Sequence, residues 1–163
     1  MKDVNVGICG LGTVGGGTFN VLTRNASLIT GRTGFNLRIA RVATRTPRND
    51  IDLGDIPFST DIFDVVNDPS VDVVVELIGG YETARELVLA AIRNGKHVVT
   101  ANKALLAFHG EQLFATADKY GANLYYEASV AGGVPIIKVL REALVGNRVT
   151  RLYGILNGTC NFI

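Results

Sequence analysis

Val4-Asn5-Val6-Gly7-Ile8-Cys9-Gly10-Leu11-Gly12-Thr13-Val14-Gly15 decides the fold of this chain. It begins as a short apolar strand and runs straight into G-x-G-x-x-G and then a helix. Each glycine has a separate duty. Gly10 permits the tight strand-to-helix turn, Gly12 lets a pyrophosphate reach the backbone, and Gly15 lets the helix lie close on the strand. Free N–H groups and the dipole at the helix start then favour an anion. Glycine turns are common and can be purely structural. Here a strand precedes, a helix follows and a second strand comes at the right distance, which makes dinucleotide binding the stronger reading.

Working outward, apolar residues at Phe19, Val21, Leu22, Leu28 and Ile29 predict a helix over 18–29, ended by the glycines at 31 and 34. Gly16 and Gly17 weaken its first turn by about 1 kcal/mol each relative to alanine. Residues 37–43 alternate as a strand should, and 45–55 read as a polar loop. A short strand near 56–58 and a small helix over 61–67 follow. The run 71–78 is the strongest strand, apolar enough to be central and covered on both faces. Leu87, Val88, Ala91 and Ile92 predict a helix over 81–94, with Gly95 just past its end. Beyond it come a strand at 97–100, a helix at 110–120, a strand at 123–126, a helix at 135–144 and a strand at 149–156. Strands alternating with helices predict an α/β fold, a doubly wound parallel sheet of Rossmann type.

Composition narrows the function. A chain of 163 residues, 47% hydrophobic with 19 glycines, can bury one sizeable core. A net charge of +1 gives no electrostatic case for nucleic acid or an anionic membrane surface. The longest apolar runs, such as Val73-Val74-Val75, are far too short to span a bilayer. No basic, apolar leader precedes the first strand, and Cys9 and Cys160 lack motif spacing. Both features predict reduced thiols and a cytoplasmic location. His97 and His109 are too far apart to suggest a metal site, and Asp61, Asp64 and Asp68 read as a solvated helix face.

The second strand ends in Ala43-Thr44-Arg45-Thr46, with Arg48 nearby and no acid before Asp50. An acid at that position would bond a ribose 2′-OH; a guanidinium flanked by hydroxyls matches a 2′-phosphate better. NADP is therefore the favoured cofactor. NAD stays open, since an arginine lying flat on adenine serves either, and a surface arginine can simply solvate a loop. Ligands in such sheets sit beyond the carboxyl ends of the strands. Gly79-Gly80, Thr100-Ala101-Asn102-Lys103, residues 127–134 and Asn157-Gly158-Thr159 converge there. Lys103 directly follows a buried strand, where its ammonium can bond a carbonyl oxygen and stabilise a developing alkoxide.

G-L-G-T-V-G, G-K-H-V-V-T-A-N-K-A-L-L-A from residue 95, Y-E-A-S-V-A-G-G-V-P-I-I from 126 and G-I-L-N-G-T-C-N-F-I from 154 together resemble homoserine dehydrogenase. The first block is generic to Rossmann domains. The other three, in this order and spacing, are specific. The resemblance implies NAD(P)H-dependent reduction of L-aspartate 4-semialdehyde to L-homoserine, in threonine and methionine biosynthesis. By position it implies that Gly10, Leu11, Gly12, Thr13, Val14 and Gly15 meet the cofactor, with Arg45 at the adenosine end and Gly79, Thr100 and Lys103 further along. Lys103 resembles the family's lysine near nicotinamide and substrate, and Thr159 the edge of the substrate pocket. Glu127, Val130, Gly132 and Val134 match a loop that holds a monovalent cation such as Na⁺, and carbonyls with one carboxylate suit such an ion.

Under this resemblance residues 1–134 form the cofactor domain and 135–163 begin a substrate and dimerisation domain. The family's acidic residue and second lysine, which bind the amino acid and move the proton, fall beyond Ile163. The chain is then expected to bind nucleotide without turnover by itself, and to form a homo-oligomer when full length. The alternatives are a stand-alone nucleotide-binding regulatory module, or a dehydrogenase for another amino-acid semialdehyde. Cys160 stands where a threonine is common and reads as a small packing residue.

Overall fold

The computed structural model describes residues 2–154. Six parallel strands form one sheet in the order β3-β2-β1-β4-β5-β6, the doubly wound arrangement. The strands are β1 (Lys2–Cys9), β2 (Phe35–Ala43), β3 (Phe58–Ser59), β4 (Val73–Glu76), β5 (His97–Thr100) and β6 (Leu124–Tyr125). The helices between them are α1 (Thr13–Arg24), α2 (Ala26–Thr33), α3 (Phe63–Asn67), α4 (Glu82–Arg93) and α5 (Lys103–Tyr120).

Side chains alternate across the strands, so each central strand feeds two cores. Ile8, Val42 and Val75 pack with Leu11, Phe19 and Ile51 on the α1 face. Their neighbours Cys9, Ala43 and Val74 pack with Val65, Leu87 and Leu113 on the α3–α5 face. Burial on both faces explains why the predicted central strand reads as a nearly unbroken apolar run.

Several elements differ from the sequence reading. The predicted 18–29 helix starts at Thr13 and is broken at Asn25, which leaves helical geometry at φ −104° and ψ 16°. The helix expected from Gly110 starts seven residues earlier, because the Asn102 side chain accepts from the Leu105 N–H and caps the first turn. Residues 149–154 form no strand: no other strand pairs with them among the described residues, and Leu152 and Tyr153 are exposed. An unpaired strand leaves its backbone to water and has no ladder to hold it. The predicted helix at 135–144 is present as a short α6 (Ile136–Lys138) that widens into a π turn (Val139–Ala143).

At the opposite end of the sheet, the Arg41 Nε–H donates to Asp68 at 2.7 Å and the Ser70 hydroxyl donates to it at 2.6 Å. Ser70 first and Arg41 second hold the Asp68 carboxyl down from 3.8 to about 2. A folded-state value below the unfolded one gives stability that is complete above about pH 4 and fades as pH falls toward 2. Asp68→Asn is expected to flatten this acid limb. The check is the urea midpoint of parent and variant measured from pH 6 down to 2; parallel curves would remove Asp68 as the cause.

Candidate functional site

The strands end level with one another. Cys9 sits opposite both Ala43 and Glu76, and Glu76 opposite Thr100. The segments that follow therefore leave the sheet along a single edge, with the reversal of strand order between β1 and β4. A cleft of about 900 Å³ opens there, lined by Gly10, Leu11, Gly12, Thr44, Arg45 and Gly79 among others. A smaller pocket of about 230 Å³ lies across the switch point, between Val14, Glu76, Gly79 and Lys103.

The glycine turn has the form that an anion cradle requires. Gly10 sits at φ +98°, and a Cβ there would come within 2.5 Å of the Leu77 carbonyl oxygen. A Cβ on Gly15 would stand 1.8 Å from the Gly10 carbonyl oxygen, so α1 can approach β1 only with glycine at this position. Gly12 differs: a Cβ would meet nothing within 4 Å, because it would project into open space at the helix start. No side chain caps α1 and no acid occupies its first turn. The first-turn N–H groups are thus left for a ligand, with the helix dipole behind them. The residues present fit a dinucleotide.

The loop after β2 is clasped onto this turn. Arg48 Nη1 donates to the Leu11 carbonyl at 3.2 Å, while its Nε–H donates to Asp50 at 2.6 Å and a second guanidinium N–H completes a bidentate pair. Arg48 thus keeps Asp50 well below the usual carboxylate range. The first acid after β2 is thereby committed to Arg48. Arg45 is exposed in the cleft and makes no hydrogen bond or ion pair among the described residues. Asp61 also lines the cleft, with its carboxylate accepting from the Phe63 N–H at 2.8 Å.

Lys103 is the first residue of α5 and exposed at the small pocket. Thr100 is fully buried: its hydroxyl donates to Glu76 at 2.6 Å, and its carbonyl accepts from the Ser129 hydroxyl at 2.9 Å. It stands behind the cleft wall and supports it. Asn102 links the neighbouring loops, since its side-chain amide donates to the Gly80 carbonyl. Sequence reasoning did not single out Glu76, Asn102 or Ser129. An acid closing an apolar strand was the visible signal for the first.

Glu127, Val130, Gly132 and Val134 lie on one turn, but the Glu127 carboxylate is engaged elsewhere. Its two oxygens accept from the Ile137 and Lys138 N–H groups at 2.9 and 2.8 Å, at the start of α6. Each of these oxygens keeps a further lone pair, and the main-chain carbonyls of the turn are additional oxygen donors. No group of three or more His, Cys, Asp or Glu side chains gathers among the described residues. Thr159 and Cys160 lie outside the described residues. Cys9 is a buried free thiol, and no described helix is long and apolar enough to cross a membrane.

The family profile for the NAD-binding domain of homoserine dehydrogenase matches residues 10–127. The chain belongs to the homoserine dehydrogenase family. A second profile, for homoserine dehydrogenase itself, matches residues 135–163. The homoserine dehydrogenase of Pseudomonas aeruginosa is 60% identical over 163 residues, which are all of this chain and 38% of that protein. A crystal structure of a homoserine dehydrogenase from Thiobacillus denitrificans matches with a TM-score of 0.89 and 55% identity, covering 99% of this chain and 38% of that one. A hyperthermophilic archaeal homoserine dehydrogenase solved in complex with NADPH matches with a TM-score of 0.72 and 26% identity, over 88% of this chain and 50% of that one. The chain therefore spans well under half the length of the Pseudomonas relative. What the family match and the geometry share is an NAD(P)-binding domain built on the glycine turn.

Proposed function

We propose that this chain is the cofactor-binding part of a homoserine dehydrogenase, which interconverts L-aspartate 4-semialdehyde and L-homoserine. The observation that carries the reading is the cleft at the switch point, which runs from the uncapped start of α1 to the unpaired Arg45. The bound nicotinamide would supply the hydride for the aldehyde carbon and take it back in the reverse direction. The residues do the holding. The first-turn N–H groups of Gly12, Thr13, Val14 and Gly15 bind the pyrophosphate, with Gly10 and Leu11 shaping the turn. Gly79 lines the passage to the nicotinamide end, and Thr100 supports it from behind.

Lys103 would hold the substrate oxygen by hydrogen bond as negative charge develops on it. The main proton donor would come from the family's second domain. Residues 135–163 begin that domain in this reading, a boundary supported by the second profile and by exposed Val145, Leu152 and Tyr153. Thr159 would then edge the substrate pocket, and the assembled protein would be a homo-oligomer working in the cytoplasm. A monovalent cation such as Na⁺ would be held by the main-chain carbonyls of Glu127, Val130, Gly132 and Val134. Together with the Glu127 carboxylate these carbonyls form a hard oxygen set, which suits an ion of low charge.

NADP is the favoured cofactor, because Arg45 is unpaired while Asp50 is held by Arg48. Calorimetric titration with NADPH and NADH in parallel tests both cofactor and role. NADPH is expected to bind at least about tenfold tighter, and Arg45→Ala to erase that advantage without weakening NADH. Equal binding of both cofactors before and after the substitution would remove Arg45 as the phosphate reader. Failure of both cofactors to bind would reject the reading for this chain.

A further inference from the structure

Glu76 closes β4 at the cleft edge and is fully buried. Its Oε1 accepts from the Ile78 N–H at 3.0 Å, and its Oε2 accepts from the Thr100 hydroxyl at 2.6 Å. Thr100 Oγ1 in turn accepts from the Asn102 N–H at 3.0 Å. Both carboxylate oxygens act as acceptors, the pattern of the ionised form. No lysine, arginine or histidine pairs with Glu76 among the described residues. A buried carboxylate held by neutral donors acts through a weakly screened field, and the exposed Lys103 that lines the same pocket bears the opposite charge. Burial first, and then the Glu76 carboxylate, push the thiol of adjacent Cys9 up to about 12. Glu76 also backs the small pocket that Val14, Gly79 and Lys103 line, on the far side of the switch point from Arg45.

We propose that the buried carboxylate of Glu76 biases this pocket toward the oxidised, cationic nicotinamide ring over the reduced, neutral one. The proposal rests on the reading that the cleft binds a nicotinamide dinucleotide with its ring end in this pocket. The two redox forms share their phosphates and adenosine and differ by one positive charge on the ring. An anion behind the ring therefore changes the ratio of the two affinities. A role confined to fixing the loops after β4 and β5 would move both affinities together. That contrast makes the charge separable from the scaffold. In a weakly screened site open at one side, one such charge is worth roughly tenfold in the ratio.

The test is equilibrium binding of NADP⁺ and NADPH, and of NAD⁺ and NADH, to the unaltered chain and to three variants. Glu76→Gln and Glu76→Met both remove the charge, so a folding failure in one leaves the other to report. Ser129→Ala removes the hydrogen bond to the Thr100 carbonyl, and so disturbs the same loops, but leaves both donors of the carboxylate. Circular dichroism establishes which variants fold. The neutral variants are expected to lose roughly tenfold in relative affinity for the oxidised form, while Ser129→Ala keeps the parent ratio. Equal weakening of both forms in the neutral variants, or an unchanged ratio, would overturn the proposal and leave Glu76 a scaffold residue. Failure of the unaltered chain to bind either form would overturn the dinucleotide reading and this proposal with it.

Discussion

Gly15→Ala is expected to lower the thermal midpoint by about 10 °C, whereas Gly12→Ala leaves it within about 3 °C and weakens cofactor binding instead. The two positions lie three residues apart in one motif, yet their surroundings are opposite. At Gly15 the added methyl would stand 1.8 Å from the Gly10 carbonyl oxygen. That oxygen is backbone and cannot rotate away. The Gly10 N–H bonds the Ala43 carbonyl at 2.7 Å, so the turn is tied to β2 as well. Relief requires α1 to move off the sheet, where Phe19 and Leu11 are packed. Overpacking of this kind costs about 3 kcal/mol, which corresponds to the stated shift for a domain of this size.

At Gly12 the methyl enters open space, and φ −62° with ψ −162° suits any residue. The methyl would occupy the approach that the pyrophosphate uses, and affinity is expected to fall at least about tenfold. Scanning calorimetry paired with cofactor titration reads both effects. A Gly12→Ala chain that binds NADPH as the parent does would place the pyrophosphate elsewhere.

Lys96→Met is expected to cost about 2 kcal/mol, or about 6 °C in the thermal midpoint, although it keeps most of the apolar stem. Lys96 is only 5% exposed, at the end of the sheet away from the cleft. Its Nζ donates to the Asp68 carbonyl at 2.6 Å and to the Val71 carbonyl at 2.7 Å. It thereby fastens the turn that delivers the chain into β4. Asp68 keeps a second donor, the Val71 N–H at 3.2 Å, so the Val71 carbonyl is the group left without a donor. Burial pulls the Lys96 ammonium below its usual value, with Asp68 and Asp72 opposing. A variant as stable as the parent, with cofactor affinity unchanged, would mean that water replaces the ammonium without cost.

Much of the architecture was legible because its signals are local. The glycine turn and the apolar run through Val73-Val74-Val75 each carry their structural meaning in adjacent residues. Alternation across residues 37–43 does the same for β2. The start of α5 was hidden by Gly110, which argues against a helix interior; the Asn102 cap and the helix formers after it outweigh that cost. Residues 149–154 carry β-branched and aromatic residues but lack a partner strand, which periodicity cannot reveal.

The candidate site divides in the same way. Its rim was legible, since Gly10, Gly12, Arg45, Gly79 and Lys103 all line the cleft or the adjoining pocket. Its support was not, because each supporting contact joins residues far apart in the chain. Arg48 reaches Leu11, Thr100 reaches Glu76 and Ser129 reaches Thr100. The role expected for the Glu127 carboxylate illustrates the limit. The resemblance made Glu127 part of a cation loop, whereas its contact with two backbone N–H groups about ten residues ahead had no local signal.

The most direct measurement is the ¹H–¹⁵N correlation spectrum of this chain during titration with NADPH. Saturable shifts are expected at the amides of Gly12, Thr13, Val14 and Gly15 and at Arg45, with smaller ones at Gly79 and Lys103. Binding without movement of the Gly12–Gly15 amides, or shifts centred on another face of the sheet, would contradict that expectation.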